Sequence, residues 1–189
     1  MTFVWTKHRF SGGTLVLDLA NTVILRADPQ RRRDRLADIG DINRFAEAAS
    51  LWCEECREGP DFSGLPARAA ARLLHLREVS DRYFRQIALG ETLSSQSLGE
   101  LACLCGDILA DTSIAGDRID GAAALSALKL AMDERQGRWA GRIKLCVNCG
   151  WLFIDRSRNR SRTWCDMTIC GNRNKARRHY HRKRMEAAS

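Results

Sequence analysis

Apolar residues recur at helical spacing in three stretches of the first two thirds of the chain, which predicts three amphipathic helices. The first is expected to begin behind Asp41, a good N-cap residue, and to close near Gly59-Pro60. The second starts with Pro66 at its first helical position and stops at Gly90. The third follows a serine-rich segment and is apolar on one side from Leu98 to Leu109.

The other segments of this region are shorter or less regular. The Ala/Leu-rich stretch 122–138 predicts a further helix, and the polar stretch 112–120 predicts a turn or small hairpin. Gly12-Gly13 predicts a turn before the apolar segment 14–19, whose period fits either a strand or the start of a helix. The predicted fold is therefore mainly α: a helical N-terminal domain, residues 1–138, with a small β-element, and a second domain, residues 139–189.

Four cysteines in the second domain have the spacing of a metal site. Cys146 and Cys149 are two residues apart, and Cys165 and Cys170 follow. Four thiolates that meet at one point suit a tetrahedral zinc ion and leave no position for a catalytic water. The spacing therefore predicts one structural Zn²⁺ site in a treble-clef or ribbon-like finger, with two buried thiol pairs or an iron site as alternatives.

The same pattern predicts how the chain returns to the metal. We expect a hairpin between residues 151–155 and residues 163–164, and we expect Cys170 to lie at the start of the last helix. A module of this size buries too little core to fold unaided, so metal binding is expected to supply part of its folding free energy.

A second pair with the same spacing, Cys53 and Cys56, serves as a control. Both cysteines fall on the apolar side of the first predicted helix, and Cys105 falls on that of the third. Cysteine packs readily in helix cores, so core packing is the preferred interpretation and a redox pair is the alternative.

Composition adds a charge imbalance to this picture. The chain has 31 Lys+Arg and 23 Asp+Glu over 189 residues, a formal charge of +8 and a sequence pI of about 9.4. Residues 1–141 carry a net charge of −2, whereas residues 142–184 carry +11. The whole positive excess therefore lies in the region of the four cysteines, and this separation predicts different roles for the two regions.

The positive charge occupies a loop and a helix. Arginine stands at every second position of the loop, and basic residues spread around most of the last helix, whose narrow apolar side contains Ala176 and Tyr180. Nucleic acid is the favoured partner, because arginine suits phosphates and guanine edges; an idle surface, an acidic protein and anionic lipid are alternatives. The predicted nucleic-acid-binding residues are Arg156, Arg158, Arg160, Arg162, Arg173, Lys175, Arg177, Arg178, Arg182, Lys183 and Arg184.

Other classes of function have less support. The chain contains no catalytic triad, paired-acid motif or Gly-rich phosphate loop, so we expect no enzymatic activity. It contains no signal-type apolar segment and no apolar run long enough for a membrane span, which favours a cytoplasmic protein that does not insert into membranes. Asp18, Asn21 and Arg26 are candidates for a small-molecule pocket, although a helix cap, a surface arginine and a buried hydrogen-bonded aspartate account for them equally well.

The finger resembles a known family. The pair Cys146/Cys149, the loop 156–162, Trp164-Cys165 and the run Cys170-Gly171-Asn172-Arg173 resemble the bacterial CGNR zinc finger. Gly12-Gly13 with Leu17-Asp18-Leu19-Ala20-Asn21-Thr22 looks like the start of the ABATE-type domain, a stress-related regulator of transcription by description. The resemblance implies that the four cysteines are zinc ligands, that the surrounding basic residues bind DNA, and that the N-terminal domain is helical.

Three functional hypotheses follow. The first is a zinc-dependent DNA-binding regulator of transcription, stress-related by its family resemblance. The second is an adaptor whose basic finger binds RNA or an acidic protein. The third is a small-molecule-sensing N-terminal domain with the finger as an accessory.

Overall fold

The computed structural model describes residues 3–57, 62, 64–111 and 117–186, and among these it contains six α-helices and two short hairpins. A 3₁₀ turn, Lys7–Phe10, precedes the first helix, and a π turn, Met167–Gly171, precedes the last. The elements are α1 (Leu15–Ala20), β1 (Val23–Ile24), β2 (Arg33–Asp34), α2 (Ile39–Trp52), α3 (Ala67–Leu89), α4 (Ser95–Asp111), α5 (Ile119–Arg135), β3 (Ile143–Leu145), β4 (Leu152–Ile154) and α6 (Asn172–Glu186).

The short helix α1 lies at the centre of the core. All six of its residues are buried, and it contacts α3, α5 and β4. The sequence pattern fitted either a strand or a helix in this segment, and the structure shows a helix. Asp18 Oδ1 accepts a hydrogen bond of 2.8 Å from Gly12 N, and a Cβ at Gly12 would lie 2.8 Å from that oxygen. The turn before α1 therefore requires glycine at position 12.

The helices α2 to α5 follow the predicted order with different ends. Asp38, rather than Asp41, caps α2 and accepts a hydrogen bond from Asp41 N. Pro66 is the N-cap of α3 and not, as predicted from the sequence, its first helical residue. Gly90 ends that helix in the left-handed region at φ 72°. The prediction that the first helix closes near Gly59-Pro60 was wrong, since α2 ends at Trp52. Residues 59 and 60 themselves, and most of the predicted turn 112–120, lie outside the described residues.

The placement of Cys53 and Cys56 on the first helix was wrong. Helix α2 ends at Trp52, and both cysteines lie in the turn after it. They are nevertheless buried, as is Cys105 on α4, and packing in the core was the preferred interpretation. The helical spacing of apolar residues continues past the end of α2 because the turn that follows also buries its cysteines in the core.

The described strands form two antiparallel hairpins. In the first, Ile24 pairs with Arg33; in the second, β3 pairs with β4, with Ile143 opposite Ile154. The predicted hairpin between 151–155 and 163–164 was therefore wrong, because the strand before the Cys146/Cys149 turn is the partner of β4. Residue 163 still lies close by, since its carbonyl accepts a hydrogen bond from Val147 N.

The second hairpin is packed against the helical region. Leu152 and Ile154 belong to the same buried cluster as α1, α3 and α5. Asn21 strengthens the junction, because its side-chain amide donates to Leu152 O and its Oδ1 accepts from Leu152 N, both at 2.9 Å. The predicted boundary at 138/139 falls in the turn that joins α5 to β3. None of the described helices combines the length and apolar character needed to span a bilayer.

Candidate metal centre and the basic surface around it

The sulfur atoms of Cys146, Cys149, Cys165 and Cys170 meet in one cluster. All four lie within 4.8 Å of one another, with 3.6 Å between Cys149 and Cys165 and 3.7 Å between Cys165 and Cys170. A tetrahedron of sulfurs at zinc-bond length has edges of about 3.8 Å. The donor set and its spacing therefore fit a tetrahedral zinc ion.

Two turns of the chain bring the four sulfurs together. Gly150, at φ 72°, donates its N–H to Cys146 O and so closes the turn that holds Cys146 and Cys149. Asp166 caps the π turn before α6, because its side chain accepts from Thr168 N and Ile169 N and its carbonyl accepts from Cys170 N. Cys170 lies in this π turn, two residues before α6 begins, and so lies close to its predicted place at the start of the last helix.

The thiol chemistry of the cluster calls for a cation. Hydrogen bonds from the thiols of Cys149 and Cys165 lower the pKa of Cys146, and the same contacts raise the pKa of both donors. The crowded thiols thus favour a thiolate at Cys146. A zinc ion held by the four sulfurs would displace their remaining protons and compensate the thiolate charge.

The surroundings of Arg9 also indicate negative charge at the cysteine cluster. Its guanidinium lies 5.6 Å from the ring of Trp151, and its Nε is buried with no hydrogen-bond partner among the described residues. Burial and the positive charge of Arg35 and Arg173 lower the pKa of Arg9, while Cys149 and Cys170 act in the opposite direction. Four thiolates around Zn²⁺ carry a net charge of −2, which would compensate this half-buried cation.

The N-terminal segment thus forms part of the surroundings of the metal centre. His8 stacks on Trp151 with 5.4 Å between ring centroids, and its Nδ1 lies 3.1 Å from Asp166 Oδ2. Sequence reasoning missed His8 and Arg9 because they lie more than 130 positions before the cysteines. No local spacing signals such a contact.

Asp155 organises the arginine loop. Its buried carboxylate accepts hydrogen bonds from Lys144 Nζ at 2.7 Å and from Ser157 N and Arg162 N at 2.9 Å. Burial alone raises the pKa of a carboxyl group, but these donors outweigh it and lower the pKa of Asp155. One carboxylate therefore closes both ends of the loop, a role that the sequence pattern did not reveal.

The loop arginines differ in how far they are engaged by partners within the fold. Arg156 pairs with Glu54 and donates to Gly13 O, and Arg160 donates to Ala140 O. Arg162 is half-buried and donates to the carbonyls of Trp164 and Cys165, so it supports the metal-binding turn. Arg158 is exposed.

Helix α6 presents its basic residues to solvent. The described side chains of this helix are all exposed except that of Asn174, and this includes the narrow side predicted to be apolar, with Tyr180 60% exposed. The side chains of Arg177, Arg178 and Arg182 lie outside the described residues, although their backbone belongs to α6. The exposed predicted residues here are Arg173, Lys175, Lys183 and Arg184.

The three residues predicted to line a ligand pocket have partners within the protein. Asp18 and Asn21 are buried in the contacts already described with Gly12 and Leu152. Arg26 forms ion pairs with Glu78 at 2.6 Å and with Asp81 at 3.3 Å. Asp18 matches the alternative of a buried, hydrogen-bonded aspartate, whereas Arg26 is a largely buried, ion-paired side chain rather than a surface arginine.

Two protein-family models match the sequence. A CGNR zinc-finger model matches residues 142–183, and the model of the ABATE family, described as "Putative stress-induced transcription regulator", matches residues 13–144. The chain belongs to the ABATE family. Its ABATE region is followed by a CGNR zinc finger, and no curated protein matches the sequence significantly. In this ABATE protein, Cys146, Cys149, Cys165 and Cys170 form one structural zinc site.

Proposed function

We propose that this ABATE protein is a zinc-dependent DNA-binding regulator of transcription. One observation carries the proposal: the last zinc ligand, Cys170, leads directly into α6, whose described basic side chains are all exposed. Zinc therefore fixes the start and direction of a positively charged helix. Neutral ligands and apolar surfaces offer this helix no counter-charge.

The electrostatics of the helix support an anionic partner. Arg173 and Arg177, and likewise Arg178 and Arg182, are four residues apart, and like charges at this spacing destabilise a helix by about 0.2–0.5 kcal/mol per pair. Phosphate groups relieve this repulsion. Exposed Arg158 extends the positive surface onto the loop beside the zinc site.

The wider function is proposed on the family description. We place the protein in the cytoplasm, with a role in a stress response and with no enzymatic activity. The four-sulfur zinc site has no open coordination position, which agrees with a structural rather than catalytic role.

Binding of the full chain to a labelled DNA duplex across a salt series tests the proposal. If about five phosphates are neutralised, the logarithm of the association constant falls with the logarithm of salt concentration with a slope of about −4.5. Arg173→Ala/Lys175→Ala is expected to weaken binding without loss of zinc. Arg68→Ala/Arg82→Ala removes the same charge from α3 and is the matched control.

Absence of binding, or binding that does not respond to salt, would overturn the proposal. Binding to RNA in preference to DNA, or capture of an acidic protein that survives nuclease treatment, would favour the adaptor hypothesis instead.

A sensing role remains a second candidate because the structure offers a cleft for it. A cavity of about 860 Å³ lies between the N-terminal turn, the end of α2 and the finger. Lys7, Arg57 and Arg162 line it beside Trp52, as do the carboxylates of Glu54 and Asp166. The three basic side chains suit the charged group of a small amphipathic anion. A thermal-shift screen of the full chain against such metabolites tests this role, and uniformly unchanged melting temperatures would count against it.

A further inference from the structure

The hairpin of β1 and β2 carries a basic run that the finger does not include. Residues 31–33 are three consecutive arginines, and Arg35 follows Asp34. Arg31, Arg32 and Arg33 are exposed. This run lies in the region whose net charge is slightly negative, so its position in space decides whether it joins the positive surface.

Strand register turns Arg33 toward the finger. Arg33 pairs with Ile24, and directly paired residues of an antiparallel hairpin project from the same face. Ile24 packs against the cluster that contains the zinc cysteines and Trp151. Asp34 projects to the opposite face, where it forms an ion pair with Arg77 on α3.

Arg35 joins the same region through an aromatic contact. Its guanidinium lies 4.1 Å from the ring centroid of Phe3, and that of Arg9 lies 5.1 Å from the same centroid. The positive charge of Arg173, at the start of α6, repels that of Arg9 and lowers its pKa, so the two guanidinium groups lie in the same region. Arginines from the N-terminal segment, the hairpin and the last helix therefore surround one side of the metal centre.

This arrangement leaves more positive charge than its neighbours compensate. The zinc thiolates offset Arg9, and Asp34 is already engaged by Arg77. Arg31 has a distant partner in Asp28, at 3.7 Å, and its side chain is 71% exposed. Arg33 is exposed on the hairpin face whose Ile24 packs against the finger.

We infer that the nucleic-acid interface extends from the finger onto the N-terminal hairpin, where Arg33 and Arg35 contact phosphates of the DNA that α6 binds. The inference rests on the proposed function and deepens it. The N-terminal region then takes part in binding through its own side chains, and the two regions hold one DNA segment between them.

Salt-dependent binding of the full chain to a labelled duplex tests the inference. Arg33→Ala/Arg35→Ala removes two phosphate contacts, so the salt slope is expected to become less steep by about 1.8 and affinity to fall by at least about tenfold near 0.1 M salt. Arg33→Glu, a change at an exposed side chain, is expected to weaken binding at least as strongly without loss of zinc or of thermal stability.

Matched variants on α3 separate local contact from total charge. Arg68→Ala/Arg82→Ala and Arg82→Glu make the same charge changes at exposed positions and are expected to bind nearly as the wild type does. Wild-type slope and affinity in both hairpin variants, together with weakened binding by Arg173→Ala/Lys175→Ala, would overturn this inference alone. A wild-type chain that does not bind the duplex would overturn it together with the proposed function. An equal loss in the α3 variants would also overturn it, since total charge would then explain the effect.

Competition by free inorganic phosphate tests whether the hairpin arginines instead form a site for a small phosphate ligand. If the hairpin arginines bind DNA phosphates as part of an extended surface, millimolar phosphate at constant ionic strength leaves duplex affinity unchanged. Competition that disappears in Arg33→Ala/Arg35→Ala would instead assign these residues to a site for a small phosphate ligand and overturn the inference.

Discussion

Several single residues connect parts of the protein that are far apart in sequence. Asn21 joins α1 to β4 through two hydrogen bonds of its side-chain amide. Arg77, on α3, is only 4% exposed and donates two hydrogen bonds of 2.7 Å to Asp34 in the first hairpin. Arg77 therefore orients the face of that hairpin opposite to the one that carries Arg33.

Arg77→Met tests this ion-pair network. Breaking a buried pair is costly, but the side chains of Asp34 and Glu78 are 35% and 39% exposed, so we expect a loss of about 2 kcal/mol in the free energy of unfolding near pH 7. Urea unfolding measures the change. Arg82→Met, at an exposed position of the same helix, is the control and is expected to change stability by less than about 0.5 kcal/mol.

The stability lost in Arg77→Met is expected to depend on pH. Burial raises the pKa of Asp34 and Glu78, but hydrogen bonds from Arg77 to Asp34 and from Arg26 to Glu78 outweigh it, so both pKa values lie below their ordinary range. Such groups contribute stability that is complete above an unfolded-state pKa of about 4 and is lost as pH falls through the lower folded value. The stability difference between wild type and Arg77→Met should therefore narrow below about pH 4. Acid releases zinc from both proteins, so the comparison rests on the difference between them, and a gap that stays constant would contradict this assignment.

At the scale of elements, the finger depends on the metal more than the helices do. Helices α3 and α4 bury apolar faces against one another and against the core, whereas the turn at Cys146/Cys149 and the π turn before α6 are held by the sulfur cluster. The four sulfurs lie near one tetrahedron, so removal of one ligand affects both turns.

Cys170→Ser is expected to remove the single structural zinc and to release the start of α6. Elemental analysis should then give well under one equivalent of zinc, and hydrogen exchange should show lost amide protection in residues 163–175 while α3 stays protected. Cys103→Ser changes an exposed cysteine outside the cluster and serves as the control. Full zinc content and unchanged protection in Cys170→Ser would show that the site does not depend on this ligand.

The sequence predicted the elements whose signals are local. Gly90 ends α3 as expected because a left-handed residue there suits glycine, and the spacing of the four cysteines located the metal site. The hairpin of the finger was mispredicted because the pairing of β3 with β4 depends on their packing against α1 and α3. The roles of His8, Arg9 and Arg77 have no local signature, since each depends on a partner brought close only by the fold.

At the scale of the whole molecule, the charge difference between the two regions takes on a spatial meaning. The +11 of residues 142–184 belongs to a zinc finger packed against the core of the helical region, through Leu152 and Ile154. The N-terminal region, despite its net charge of −2, adds Arg9 and Arg35 near the same centre and Arg33 on the hairpin face that packs against the finger. Average charge along the sequence therefore understates how far the positive surface extends.

The central claim is that zinc orders this surface for DNA binding. The most direct test is one titration of a labelled duplex with the full chain, as purified, after removal of zinc by a chelator, and after zinc is restored. The account predicts salt-dependent binding by the zinc-loaded protein, a loss of at least about tenfold in affinity without zinc, and recovery when zinc returns. Equal affinity with and without zinc, or no binding by the zinc-loaded protein, would contradict it.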